Sequence, residues 1–223
     1  MNIDKQEIRR YLGYGNKIAD NQTETLIDSC LSASEQHIQF LHVHRTFPLR
    51  LEKSSVIVEA ENFALEGESI RNHLAKSSYC VVMAATLGPK MDQLIRYIGR
   101  TDLSEAVVMD AVATTIIEAF CDKIEESIRQ QAKKDGLYAT HRFSPGYGDF
   151  PLTIQSSLLR VLDAQRSIGL TTTENMILIP RKSVTAIIGL QEKPADEKIH
   201  TCNDCMPGLS CPFKKEETQI EHS

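Results

Sequence analysis

Between Ser104 and Lys134 the chain carries Val107, Val108, Ala111, Val112, Thr115, Ile116, Ala119, Phe120, Ile124 and Ile128 at helical spacing. A stripe so long and broad predicts one helix laid along a sheet, because a helix burying that much apolar surface needs a flat partner. Ser104 is the expected N-cap and Gly136 the expected terminator. The sheet is legible on either side. Phe47, Leu49 and Leu51 alternate, and Val56 and Val58 follow a polar break, which reads as a β-hairpin with one buried face. Tyr79 to Ala85 is a continuous apolar run, as interior strands are. Two late strands are expected at 176–179 and 184–188.

Helices fill the gaps. Asp4-x-x-Glu7 reads as a capping box for a short helix bearing Ile8 and Leu12. Asn21 or Thr23 opens a second, with Leu26, Ile27, Cys30 and Leu31 on one face. Further helices are expected around 70–75, after Gly88-Pro89, and around Leu158, Leu159 and Leu162, closing near Gly169. The order predicts an α+β fold with a mainly antiparallel twisted sheet packed by long helices, over residues 1–190. A polar tail bearing cysteines occupies 191–223.

The bulk numbers narrow the function. A net charge of −5 with no basic stripe argues against a nucleic-acid binder. No leader-like apolar segment opens the chain and no run approaches a membrane span, so a cytoplasmic protein without a membrane partner is expected. In that compartment the 6 cysteines are thiols, ligands or redox groups rather than structural disulfides. Cys30, Cys80 and Cys121 fall on apolar faces and read as core.

One segment resists regular structure: Arg142-Phe143-Ser144-Pro145-Gly146-Tyr147-Gly148-Asp149-Phe150-Pro151. Its prolines fix φ and its glycines permit what other residues avoid, the composition of a rigid connector or of a binding loop. As a binding loop it suits a small zwitterion. Arg142 could hold a carboxylate by two parallel hydrogen bonds, and Gly146 allows close backbone approach. Tyr147 offers a ring face to a cation. Glu118, midway along the long helix, is either a buried anion awaiting a positive partner or a solvated edge residue. His141 lies just before Arg142 and is a candidate for orienting the loop. His42 and His44 alternate on an expected strand and share a face, without a third ligand to mark a metal site.

The tail carries Cys202-x-x-Cys205-x5-Cys211. Three thiolates with His200 would complete a zinc set, whereas an iron–sulfur cluster would need another ligand from elsewhere. A dithiol redox role, or an incidental tail, remains open on the same residues.

Arg142, Gly146 and Tyr147, following a long helix bearing Glu118-Ala119-Phe120 and preceding Pro180-Arg181-Lys182-Ser183-Val184, resemble the activation domain of cobalamin-dependent methionine synthase in a stand-alone form. Arg10-Tyr11-Leu12-Gly13-Tyr14 extends the likeness, which covers roughly residues 1–190. The resemblance implies S-adenosylmethionine bound by Glu118, Arg142, Ser144, Gly146 and Tyr147, with Tyr147 as the residue nearest the chemistry. It implies methyltransferase work as a reactivation component: reductive methylation of cob(II)alamin carried by a partner, methionine synthase or another corrinoid protein. A low-potential donor such as flavodoxin or ferredoxin would supply the electron. The chain has no Asp-x-His-x-x-Gly motif, so cobalt is expected to be held by the partner. Gly148-Asp149 stands where the fused form has a small apolar pair, and no residue here matches the family's N-terminal aspartate ligand. In a competing reading, the Cys202/Cys205/Cys211 tail senses metal or redox state and the folded part only binds a partner. A third reading is a binder of adenosine-type ligands without methyl transfer.

Overall fold

A computed structural model describes residues 3–15, 17–53, 55–59 and 63–194. Helices α1 (Lys5–Tyr11) and α2 (Asn21–Ser34) precede strands β1 (Leu41–Leu51), β2 (Ser55–Val58) and β3 (Phe63–Glu66). Helix α3 (Glu68–His73), strand β4 (Ser77–Thr86), helix α4 (Pro89–Ile98) and the long helix α5 (Leu103–Lys134) follow. The last part holds β5 (Tyr138–Ala139), α6 (Gln155–Val161), α7 (Ala164–Ile168), β6 (Thr171–Thr172), β7 (Leu178–Ile179) and β8 (Ser183–Gln191). The six-stranded sheet has the order β3-β2-β1-β4-β8-β5, and every pairing in it is antiparallel. The α+β expectation holds.

The sheet separates two apolar cores. Alternate residues of β4 and β8 point each way: Val81, Met83, Ala85, Ala186 and Ile188 meet α5, while Cys80, Val82, Ala84 and Ile187 meet α6, α7 and β2–β3. Covered on both faces, β4 and β8 read as unbroken apolar runs, which is why β4 was legible as an interior strand. Helices α1, α2 and α4 pack on α5 from its outer side, so its first half is buried nearly all round. Among the described residues, no helix is long and apolar enough to cross a membrane.

The differences from expectation are local. Asp102, not Ser104, caps α5 by accepting from the Glu105 amide at 2.9 Å. Asp20 caps α2 through the Thr23 amide, and Asp4 caps α1 through the Gln6 amide. The Glu7 carboxylate accepts from Arg10 at 2.7 Å. The expected helix after the loop is broken at Asp163, whose φ of 49° starts α7 afresh. The strand expected at 176–179 shrinks to Leu178–Ile179, which pairs with β6 outside the main sheet. Cys30, Cys80 and Cys121 are buried, and burial pushes their thiols up to about 11, 12 and 12. Cys202, Cys205, Cys211 and His200 lie outside the described residues.

Ile188 is fully buried between β4 and α5. Ile188→Ala should cost about 2–4 kcal/mol in urea unfolding, since the site cannot collapse against a rigid sheet.

Candidate functional site

The irregular segment is fixed at both ends before it presents anything. At its start it continues β5 along the edge of β8. Phe143 exchanges both backbone hydrogen bonds with Ile187, at 2.8 and 2.9 Å, and the Thr140 amide donates to Gly189 at 2.9 Å. Along this edge, Phe143 drops into the core with α6 and α7, while Arg142 faces α5.

At its far end, Phe150 is fully buried and Asp149 reaches across to α3. The Asp149 carboxylate accepts from the Glu68 amide at 2.6 Å and the Ser69 amide at 2.8 Å. Two glycines make room for this tie. A Cβ on Gly148 would lie 2.3 Å from Ser69 Oγ, and one on Gly67 3.0 Å from Asp149 itself. The Gly148-Asp149 pair, where the sequence leaves the fused pattern, is therefore the loop's anchor. Between the anchors the Gly146 amide donates to the Phe150 carbonyl at 2.8 Å, and the Tyr147 amide to Ser144 at 3.2 Å. Gly146 has φ 93°, which a side chain would resist. Tyr147 stands at the tip, 54% exposed, its ring centroid 6.2 Å from that of Phe143.

Arg142 lies against the edge of α5. Its Nη2 donates to Glu118 at 2.8 Å, and its Nη1 to Asp122 and to Glu125 at 3.0 Å. Glu118, Asp122 and Glu125 follow helical spacing, so all three carboxylates share one edge. The positive partner expected for Glu118 is thus present within the chain. Burial disfavours the Arg142 charge, but Glu118 and Asp122 more than reverse this, so the guanidinium stays protonated. Arg129 also engages Glu125, at 2.7 Å, and donates to the Ala139 carbonyl at 2.8 Å. Glu126 also lies 3.9 Å from Arg129, so four carboxylates meet two guanidiniums and the cluster is net negative. Asp122 and Glu125 went unnoticed in the sequence although their spacing from Glu118 points to them.

Further along the same edge, Lys182 bridges Asp110 and Thr114, each at 2.8 Å, with only 13% of its side chain exposed. Beside it lies a depression of about 300 Å³ lined by Tyr11, Val107, Asp110, Ala111 and Thr114. Ser183 Oγ donates within the Pro180 turn at 2.6 Å and stands 2.8 Å from Thr86 Oγ1. The Pro180–Val184 segment thereby ties the start of β8 to the end of β4. His141 and His73 stack edge to face with centroids 4.7 Å apart, and His73 Nε2 lies 3.0 Å from Thr140 Oγ1. This contact backs the loop's first turn. The structure brings Glu118 to Arg142 and puts Ser144, Gly146 and Tyr147 on the adjoining turn.

The Ser69 and Glu68 amides hold the Asp149 carboxyl below the usual carboxylate range. A group depressed in the folded state stabilises it above the unfolded pKa and loses that contribution as pH falls through the folded one. Asp149→Asn should therefore melt below the parent at neutral pH, and the gap should close below about pH 4. Gly148→Ala should destabilise at every pH, by about 1–2 kcal/mol or more, since it combines positive φ with a clash.

Comparison with known proteins returned no match among curated proteins. The solved structure of the MetH reactivation domain bound to AdoHcy superposes with a TM-score of 0.61 at 15% identity. The alignment covers 88% of this chain and 81% of that one. The family described as the activation domain of vitamin B12-dependent methionine synthase matches residues 28–203, most of the chain, including α5 and the Arg142 loop. The chain belongs to the vitamin B12-dependent methionine synthase activation-domain family.

Proposed function

We propose that this chain binds S-adenosylmethionine along the α5 edge beneath the Arg142–Tyr147 turn and presents its sulfonium methyl to a corrinoid carried by another protein. The observation that carries the reading is the Arg142 cluster. A ligand with a carboxylate, an ammonium and a sulfonium carries a net positive charge, and the cluster around Arg142 carries a net negative one. Arg142 would turn part of its fork to the ligand carboxylate, and Glu118, so released, would take the ammonium. Ser144 and Gly146 would offer backbone groups at close range, and the exposed Tyr147 ring would face the sulfonium.

The partner's corrin, once reduced by one electron from a low-potential donor of the flavodoxin or ferredoxin type, would be the nucleophile, and S-adenosylhomocysteine would be the leaving group. What this chain contributes is placement. Anchored at Phe143 by β8 and at Asp149 by α3, the loop holds the turn still while the methyl is offered outward. Tyr147 sits at the exposed tip, where an incoming corrin would meet it. The partner would be methionine synthase lacking such a domain, or another corrinoid methyltransferase.

Calorimetric titration of the full chain with S-adenosylmethionine tests the binding step. Saturable binding is expected. Arg142→Ala should weaken it by roughly tenfold or more, as loss of a charge-assisted pair does. Tyr147→Phe should retain most of the affinity, because the ring face remains. Absence of binding by the parent would refute the reading.

A further inference from the structure

Helix α1 packs on α5 although it precedes residue 28, where the family match begins. Charge fastens it there. Arg9 donates to both oxygens of Glu24 on α2, at 2.6 and 3.1 Å, and Arg10 donates to Glu7 at 2.7 Å. Arg10 also lies over the Tyr11 ring, 4.3 Å from its centroid, with only 12% of its own side chain exposed. Glu7, Arg10 and Tyr11 thus form a chain of contacts that fixes one aromatic ring beside α5. Core filling accounts for the part of the ring that packs with the α5 cluster. It does not account for the part that walls the depression of about 300 Å³.

That depression continues the Arg142 cluster along one edge of the helix. Thr114 stands one turn before Glu118 and Asp110 two turns before it, about 6 and 12 Å along the axis. Burial first, and then the Glu118 carboxylate, push the Tyr11 hydroxyl above its ordinary pKa, so the ring lies within the field of the cluster. The lining divides by chemistry. Val107 and Ala111 are apolar, Tyr11 is aromatic, and Asp110 and Thr114 form a polar side held by Lys182. Apolar and aromatic walls suit a flat heteroaromatic base, and a half-exposed carboxylate suits a neighbouring diol. The methionine half of a sulfonium ligand offers neither group. The adenosyl half offers both.

We propose, resting on the S-adenosylmethionine reading of the Arg142 site, that the adenosine of that ligand occupies this depression, its base stacked on the Tyr11 ring and its ribose hydroxyls donating to Asp110. Arg10 takes one face of the ring, so the base takes the other. The amino-acid end lies toward Glu118 and Arg142, the base toward Val107, and the sulfonium between them. Tyr11 is then a specificity-determining residue, supplied by a helix outside the family match.

The test uses the full chain, which contains no tryptophan. In calorimetric titration with S-adenosylmethionine, Tyr11→Phe should retain most of the parent's affinity, because the ring remains. Tyr11→Leu should bind roughly tenfold more weakly, as loss of a base–aromatic stack does. Tyr11→Trp places a single fluorophore in the wall, and S-adenosylmethionine should quench its emission saturably, since a stacked base quenches indole. S-methylmethionine, with the same charged groups and no base, should not. Tyr79→Trp is the control. Tyr79 lines a separate depression beside Ile128 and Asp135, about 25 Å further along α5, so its emission should not respond. A merely structural role for Tyr11 would not produce this pattern. Three results would overturn the adenosine site and leave the Arg142 reading standing: Tyr11→Leu binding as tightly as a binding-competent parent, no quenching in Tyr11→Trp, or quenching by S-methylmethionine. No binding by the parent would overturn both.

Discussion

A guanidinium largely withdrawn from water needs anions around it, and at Arg142 this need organises the site. Its side chain is 20% exposed, and the Glu125 side chain that meets it only 13%. Removing Arg142 would take away the one cation that Glu118, Asp122 and Glu125 share, which costs more than losing a single surface pair. The contact thus sets the distance between the β8 edge and α5. That distance determines where Ser144, Gly146 and Tyr147 stand.

The loop can meet this demand because its other attachments are unrelated to charge on α5. Phe143 is held by the sheet, Phe150 by the lower core and Asp149 by the first turn of α3. A rigid loop on a rigid edge is a favourable place for a group that must be offered in one orientation. Lys182 repeats the arrangement two helical turns earlier, with Asp110 and Thr114 as its partners. Two cations from one end of the sheet thereby clamp a single edge of α5 along much of its length. On its opposite edge α5 packs Phe120 against His42 of β1 instead.

Much of this was legible in the residues. The α5 stripe, the apolar run of β4 and the loop's prolines and glycines each leave a periodic or compositional signature, and the two-core sheet follows from them. The tie from Asp149 to α3 leaves none, because its partners are 80 and 81 residues away and the contact is to backbone. The break at Asp163 was hidden for a different reason: a non-glycine residue adopts the left-handed conformation there, without glycine or proline to mark it. Two-residue strands such as β5 and β6 are too short to alternate. Glu118 was ambiguous between buried anion and solvated edge. Neither description fits, since it is half-exposed and paired with the arginine singled out as its neighbour in the site.

The central claim is that this chain offers a sulfonium methyl to cobalt held by another protein. The most direct measurement is the visible spectrum of a cob(II)alamin-loaded corrinoid partner, mixed with this protein, a low-potential reductant and S-adenosylmethionine. The account predicts conversion to methylcobalamin that requires this protein and is lost with Arg142→Ala. A spectrum that stays that of cob(II)alamin, or that converts equally well without the protein, would contradict it.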